Sequence, residues 1–478
     1  MSTGKRKLLI LIPDGTGIKN YLLSSFITKA VQEFDVILAH NFDDEIEKEI
    51  AVSADQYLRV RIPEYNEPFL LKFYREAITY ARLLYNSRIR KNPTILINWR
   101  RSFKQITKKT FYQLVKTYGK YLANDYKRIQ NTNQLYHDKV MNSHSIKEYV
   151  KLIQDYQPDV VVTTHQRSVL NVPLFAAAKK LNKTSVSFIY SWDNMPKARI
   201  PYFSDYFYVW SDYMKSEFDD YYPEIDDDRI KITGTPQFEF YLDETLLKTK
   251  ADFCLQYNLD ENRPIVCFSG DDRLTSPFDP FYLRDMAQVF SEVDKKNRPQ
   301  IMLRPSPADD GSRFQWVLEE YSNIIYAPAD WFESNSSKHW SVKFPKKNDI
   351  KNLVNVTYHA DAVVNVGSTM AHDFAMFKKP AFYLNYMPEV EISTLEHINA
   401  KNWSIKTIYK YEHFRSMDGL KPVYWINARN DFKNIPLKIV KYDEKEQADQ
   451  KKWRDKIIGE MLYKQASTNL VNELSKLN

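Results

Sequence analysis

The chain is predicted to be an α/β protein built from two doubly wound, Rossmann-like domains whose strand ends face a central cleft. Three observations predict this. Short apolar runs alternate with helical patterns along most of the chain, as expected of parallel sheets covered on both faces. The series begins near Lys7, stops at the charged stretch 243–252 and starts again at Pro264. The length of 478 residues also exceeds what one ordinary core organises.

The elements follow in order. Residues 7–12 are an apolar run that ends at Pro13, a buried strand. A helix is expected over 18–33 and a second strand over 35–39. Residues 65–155 read as a polar, mostly helical insertion, with 92–98 as a candidate strand. Strands are then expected at 159–164, 185–190, 205–210 and 230–233, with a helix at 172–181. The second series has strands at 264–269, 300–304, 324–326, 362–366 and 381–384. Its helices fall at 282–293, 353–360 and 370–377. Residues 445–477 read as one long polar helix. The expected domains are therefore 1–245 and 246–440, followed by a helix at 441–478 that crosses back to the first.

Composition narrows the class. Hydrophobic residues make up 43% and charged residues 27%, which is globular rather than disordered. Cys254 and Cys267 are the only cysteines, too few for a disulfide framework or a four-thiolate zinc site. The apolar run after Lys5, Arg6 and Lys7 is too short for a signal sequence. No stretch reaches the ~18 apolar residues of a membrane span. A cytoplasmic protein is expected. With only 10 glycines, a glycine at a strand end is conspicuous.

The net charge of +7 is unevenly placed. Residues 85–128 hold Lys and Arg side chains interleaved with aromatics, and Asp125 is the sole acid among them. Such a segment suits an anionic membrane surface or an anionic substrate, or is a solvated helical face. No nucleic-acid module accompanies it, so a peripheral place on the inner membrane face is expected and nucleic acid is not.

Ligands of open parallel sheets bind beyond the carboxyl ends of the strands. The segments there are Pro13-Asp14-Gly15-Thr16-Gly17, His165-Gln166-Arg167-Ser168, Ser191-Trp192-Asp193-Asn194 and Gly234-Thr235-Pro236 in the first half. In the second half they are Ser269-Gly270-Asp271-Asp272-Arg273, Arg304-Pro305-Ser306-Pro307 and Gly367-Ser368-Thr369. In the last of these a strand runs through Gly-Ser-Thr straight into a helix. Helix-start N–H groups and the Ser368 and Thr369 hydroxyls suit a diphosphate, and Gly367 allows close approach. Asp373, one turn further on, would take the ribose hydroxyls. A plain Ser cap with an acid in the first turns has the same pattern.

This segment resembles the nucleotide-binding signature of GT-B glycosyltransferases, including cell-wall N-acetylglucosaminyltransferases and the glycerophosphotransferase and capsule-transferase relatives. There an acid lies six positions past the Gly and a Pro seven positions after that, as Gly367, Asp373 and Pro380 do here. The acid is Asp where Glu is more usual. Thr233-Gly234-Thr235-Pro236 and Ser191-Trp192-Asp193-Asn194 are similar to segments of the glycerophosphotransferase-like group. Arg304-Pro305-Ser306-Pro307 is similar to its basic-x-His-Pro segment, with Ser306 in the His position. The resemblance covers about residues 159–385.

It implies an acceptor-binding domain at 1–245 and a nucleotide-donor domain at 246–440. The donor would be a nucleoside-diphosphate sugar, and the acceptor a surface glycan or lipid-linked molecule. It also implies Arg304 near the phosphates. His372 would approach phosphate from outside the helix. For an inverting transfer the base is Asp14, His165 or Asp193, or no protein group at all. Trp192 stacks on a ligand or is a buried core residue. The acid clusters 226–228, 271–272 and 309–310 read as solvated turns. No resident cofactor and no metal is expected. A glycerophosphate-type transferase, a nucleotide-sugar epimerase and a non-catalytic nucleotide-binding protein remain as alternatives.

Overall fold

The computed structural model describes residues 4–99, 105–333, 343–390 and 403–477. The chain forms two compact units. The first comprises Met1–Gln237, Tyr411–His413 and Lys456–Asn478, and the second Phe238–Lys410 and Phe414–Asp455.

The first unit holds a seven-stranded parallel sheet. Its strands are β1 (Lys7–Leu11), β2 (Asp35–Ala39), β3 (Tyr57–Val60), β4 (Val160–Thr163), β5 (Thr184–Phe188), β6 (Tyr206–Val209) and β7 (Ile230–Ile232), in the order β3-β2-β1-β4-β5-β6-β7. The order reverses direction between β1 and β4, where Leu8 is in register with Val160 and Leu11 with Thr163. Side chains alternate across such a sheet. Leu9, Leu11, Ile37 and Val161 face a core formed with Tyr136, Tyr149, Ile153 and Phe175 of the flanking helices. The insertion is helical, as expected, with helices Phe69–Ile89, Ile106–Leu122, Tyr126–Met141 and Lys147–Tyr156.

The second unit holds β8 (Ile265–Gly270), β9 (Gln300–Pro305), β10 (Ile325–Tyr326), an antiparallel pair of β11 (Trp331–Glu333) and β12 (Lys343–Pro345), then β13 (Ala362–Asn365), β14 (Ala381–Leu384) and β15 (Tyr424–Ile426). Its main sheet is parallel, in the order β10-β9-β8-β13-β14-β15. The reversal falls between β8 and β13. Both sheets thus have a topological switch point between their first and fourth strands, the place where doubly wound folds bind ligands.

Three local expectations are corrected. The helix expected over 18–33 is broken. A wide turn at Ile18–Leu22 is followed by a helix at Ser25–Glu33, because Ser24 caps the latter through the Phe26 N–H and also donates back to the Asn20 carbonyl. The candidate strand over 92–98 is a 3-10 helix, Pro93–Trp99, started by the Asn92 side chain accepting from the Thr94 N–H. The long helix over 445–477 is two helices, Glu444–Ile458 and Ala466–Ser475, separated where Gly459 and Met461 take φ of +83° and +65°. A Cβ on Gly459 would lie 2.9 Å from the Trp210 carbonyl oxygen, so only glycine makes that turn. β3, β15 and the helix Asp212–Tyr221 were not expected; they are short or rich in charge, and burial on neighbours rather than their own pattern stabilises them.

Candidate functional site

The switch point of the first unit places Asp14, after β1, next to His165, after β4. Asp14 Oδ2 lies 2.8 Å from His165 Nδ1. A carboxylate only accepts, so the imidazole donates through Nδ1 and Nε2 is left as the acceptor. Asp14 also caps the turn Gly15–Gly17 by accepting from the Thr16 N–H at 3.0 Å. Capping and pairing with His165 are therefore both true of one carboxylate. Burial raises its pKa, but the His165 hydrogen bond and charge, with the Thr16 N–H, outweigh that and hold it below the usual carboxylate range. The backbone of His165 is itself fixed, its carbonyl accepting from Asn171 Nδ2 at 2.9 Å. Its ring stands edge-on to Tyr190, 4.6 Å between centroids. Nε2 is buried and, among the described residues, without a hydrogen-bond partner.

Asp193 does not join this pair as a base. Its Oδ1 accepts from Ser191 Oγ at 2.7 Å and its Oδ2 from Lys197 Nζ at 2.5 Å. Burial works against its charge, yet Lys197 and His413 hold the carboxyl far below its ordinary pKa. An anion so strongly paired takes no proton from a hydroxyl. Trp192 is buried, its ring edge-on to His413 at 4.9 Å between centroids, so it is a core residue of this unit.

Sequence reasoning gave no role to three neighbours of the dyad. Tyr190 carries the ring against His165, and its hydroxyl accepts from Arg167 Nη1 at 3.2 Å. Arg167 also reaches Asn194 Oδ1 at 3.4 Å. The only signal for these residues was their position after β4 and β5.

In the second unit the loop of residues 367–369 follows β13, and register places it beside the end of β8, where Val364 pairs with Phe268. The helix Met370–Met376 begins there as expected. The Ser368 N–H is already bound by Asn365 Oδ1 at 2.8 Å, and Ser368 Oγ accepts from the Met370 N–H at 3.4 Å. Gly367 has φ of +72°, and a Cβ there would lie 2.6 Å from Phe414 Cζ. Its lack of a side chain is thus demanded by the fold of this unit before any phosphate arrives. Thr369 is exposed at the helix start.

Three expected ligand contacts meet internal partners instead. Asp373 is 4% exposed, and its Oδ1 accepts from the Tyr241 hydroxyl at 2.8 Å; the carboxylate expected on ribose is already engaged. His372 is 1% exposed and packs on Trp453, 4.1 Å between ring centroids, so it does not approach phosphate from outside. Arg304 turns from β9 into the layer between sheet and helices, where it pairs with Asp349 Oδ1 at 2.8 Å. It shares that face with Met302 by strand alternation. Asp349 also accepts from the Trp331 indole at 2.6 Å.

Two of the acid clusters are solvated only in part: Asp310 is exposed and caps its own turn through Ser312, whereas Asp271 and Asp309 have internal surroundings. Asp309 pairs with Arg313, which also donates to the carbonyls of Ser276 and Asp271 at 2.6 Å each. The Asp271 N–H donates to Asp279 Oδ2 at 2.7 Å, while Asp271 Oδ2 is buried without a partner among the described residues. Burial, with Asp279 and Asp272 beside it, pushes Asp271 well above the carboxylate range, and burial pushes Asp279 up to about 6. Among the described residues no group of three or more metal-ligating side chains gathers.

The basic segment divides in two. Arg90 pairs with Asp220 and Glu412, Arg88 donates to the Ala123 carbonyl, and Trp99 is buried. Lys108, Lys109 and Lys120 are exposed on the helix Ile106–Leu122 beside Ile106 (79% exposed) and Leu114 (56%). Arg100, Arg101, Phe103 and Lys104 lie outside the described residues. Among the described residues no helix is long and apolar enough to cross a membrane.

No protein-family model matches the sequence, and no curated protein matches it. Solved structures do resemble the fold. A putative UDP-N-acetylglucosamine 2-epimerase from Listeria monocytogenes aligns with a TM-score of 0.54 at 10% identity, over 99% of this chain and 96% of that one. A glycosyltransferase from Rickettsia africae ESF-5 aligns with a TM-score of 0.49 at 12% identity, over 99% and 100%. The wall teichoic acid polymerase TagF aligns with a TM-score of 0.48 at 13% identity, over 98% and 88%. At such identity the likeness is one of fold: two parallel, doubly wound sheets of the GT-B type.

Proposed function

We propose that this protein is a glycosyltransferase that moves a sugar from a nucleoside-diphosphate sugar to a hydroxyl of a surface-glycan or lipid-linked acceptor. The observation that carries this reading is the Asp14–His165 pair, which leaves a buried imidazole nitrogen unbonded at the switch point of the first sheet.

In the proposed reaction His165 Nε2 takes the proton of the acceptor hydroxyl. The acceptor oxygen forms a bond to the anomeric carbon, and the bond from that carbon to the diphosphate oxygen breaks. The nucleoside diphosphate leaves with the electron pair, and the anomeric configuration inverts. Asp14 keeps Nδ1 protonated and stabilises the imidazolium that forms; it is a positioning residue and stays ionised throughout. The nucleotide is assigned to the switch point of the second sheet, with Ser368 and Thr369 toward the phosphates. Arg304, His372 and Asp373 support that unit from inside, since each has its partner there.

Nucleotide-sugar epimerisation is one alternative, because a protein named as a putative UDP-N-acetylglucosamine 2-epimerase shares the fold; glycerophosphate transfer is the other, from the sequence resemblance of residues 191–194 and 233–236. The test is a thermal-shift screen with nucleoside diphosphates, followed by labelled donor with and without acceptor. A raised melting temperature and acceptor-dependent turnover support the proposal. Turnover of donor without acceptor identifies an epimerase, and no nucleotide binding at all removes the reading.

A further inference from the structure

Arg167 is a half-buried cation without a counter-ion among the described residues. In the same unit Arg75 has carboxylate partners in Glu67 and Glu76, Arg82 in Glu224, and Arg90 in Glu412 and Asp220, while Arg88 and Arg229 donate to backbone carbonyls. Arg167 instead makes two long bonds from Nη1 to neutral oxygens, those of Tyr190 (3.2 Å) and Asn194 (3.4 Å). Its Nε is buried and has no acceptor among the described residues. A guanidinium taken partly out of water needs an anion or a full set of acceptors to offset its lost hydration. The described residues supply neither.

The deficit is shared. Asn194 Oδ1 accepts from Arg167, and Asn194 Nδ2 is buried without an acceptor among the described residues. Thr16 Oγ1, in the turn capped by Asp14, is buried beside that carboxylate. These groups lie on the loops that follow β1, β4 and β5, three adjacent strands at the switch point. The same loops carry His165, whose ring and the Arg167 guanidinium both lean on Tyr190. The locality therefore offers unmet N–H donors, a fixed positive charge and one unmet acceptor, Nε2. A phosphoryl group brings oxygens and negative charge for the donors, and a hydroxyl beside it brings the proton for Nε2.

We infer that Arg167 and Asn194 form a phosphoryl-binding subsite beside His165, so that the acceptor presents a hydroxyl close to a phosphate. The inference rests on the transferase reading and narrows its acceptor to phosphorylated polyols and phosphate-bearing lipid or glycan termini. The donor diphosphate offers the same chemistry, and the experiment separates the two sources.

The full chain is titrated calorimetrically at low salt with sn-glycerol 3-phosphate, with neutral glycerol and with UDP and CDP. Wild type is compared with Arg167→Gln and Arg167→Lys, folding being followed by circular dichroism. The expected result is binding of glycerol phosphate but not glycerol, weakened at least tenfold in Arg167→Gln and partly retained in Arg167→Lys. Unchanged nucleotide affinity in Arg167→Gln then makes the acceptor the source of the phosphate. If nucleotide affinity falls tenfold instead, the subsite stands and the donor is the source. Equal affinities of wild type and folded Arg167→Gln for every phosphate ligand overturn the inference. Should Arg167→Gln fail to fold, Asn194→Ala is scored in the same way. If wild type binds no nucleoside diphosphate while glycerol phosphate still depends on Arg167, the transferase reading fails and the subsite survives.

Discussion

Asp14 Oδ2 and His165 Nδ1 lie 2.8 Å apart although 151 positions separate them in sequence. Parallel pairing of β1 with β4 brings their loops together, and neither residue alone would fix the imidazole's tautomer. Asp14→Asn replaces the ionised acceptor with an amide that can donate to Nδ1, so that Nε2 rather than Nδ1 can carry the proton. We expect Asp14→Asn and His165→Ala to lower turnover by ~10²–10⁴ while nucleotide affinity is kept. Steady-state kinetics with parallel nucleotide titration decide it; near-normal turnover in both variants removes the dyad from the mechanism.

Gly367→Ala is expected to be a stability variant. Its Cβ would lie 2.6 Å from Phe414 Cζ at a φ of +72°. We expect a loss of ~1–3 kcal/mol in chemical denaturation, before any effect on ligand binding is considered. Unchanged stability would show that the Phe414 ring yields freely. Ser368→Ala and Thr369→Val probe the nucleotide without this burden.

The Arg304–Asp349 pair is buried on both sides. Asp349→Ala leaves the guanidinium unpaired and frees the Trp331 indole, and should destabilise the second unit by ~3–5 kcal/mol. The double variant Arg304→Met with Asp349→Leu should recover most of that, because the uncompensated charge is gone. A double variant no more stable than Asp349→Ala would mean that packing, not charge, dominates there.

His40 predicts an acid limb. It is fully buried, and its Nδ1 accepts from the Phe42 N–H at 3.2 Å. Burial lowers its pKa to about 4, with Glu47 opposing and Arg59 assisting. The unfolded side chain titrates near ~6.5. Between those values the unfolded state binds a proton that the folded state refuses, so stability falls as pH drops through that window. The loss should be on the order of 2–3 kcal/mol by pH ~4. Urea titrations at several pH values should show this slope in the wild type and a shallower one in His40→Gln; equal slopes would remove His40 as its source.

Lys108, Lys109 and Lys120, beside exposed Ile106 and Leu114, are proposed to rest on anionic membrane. Each well-placed Lys is worth ~1 kcal/mol at low salt. Co-sedimentation should favour phosphatidylserine vesicles over neutral ones and weaken on replacement of the three lysines by Gln. Equal, negligible pelleting with both vesicle types would rule the surface out.

The two doubly wound sheets were legible in the sequence because buried parallel strands are short, continuous apolar runs such as Leu8–Ile12 and Val160–Val162, and each run is its own signal. The residues after the strands were legible for the same reason: once a strand is placed, topology puts its end at the ligand edge. Asp14 and His165 were named as candidates this way, each separately. What pairs them is the β1–β4 register, and a contact between residues 151 apart has no local trace. The internal partners of the other candidates were not legible. Arg304, His372 and Asp373 have residue types that suit a nucleotide, but whether a side chain faces ligand or core depends on which neighbour reaches it first. Asp349, Trp453 and Tyr241, from distant parts of the chain, reached these three. Residue type and strand position are written in the sequence, whereas the partner that satisfies a buried charge is chosen only when the tertiary structure closes around it.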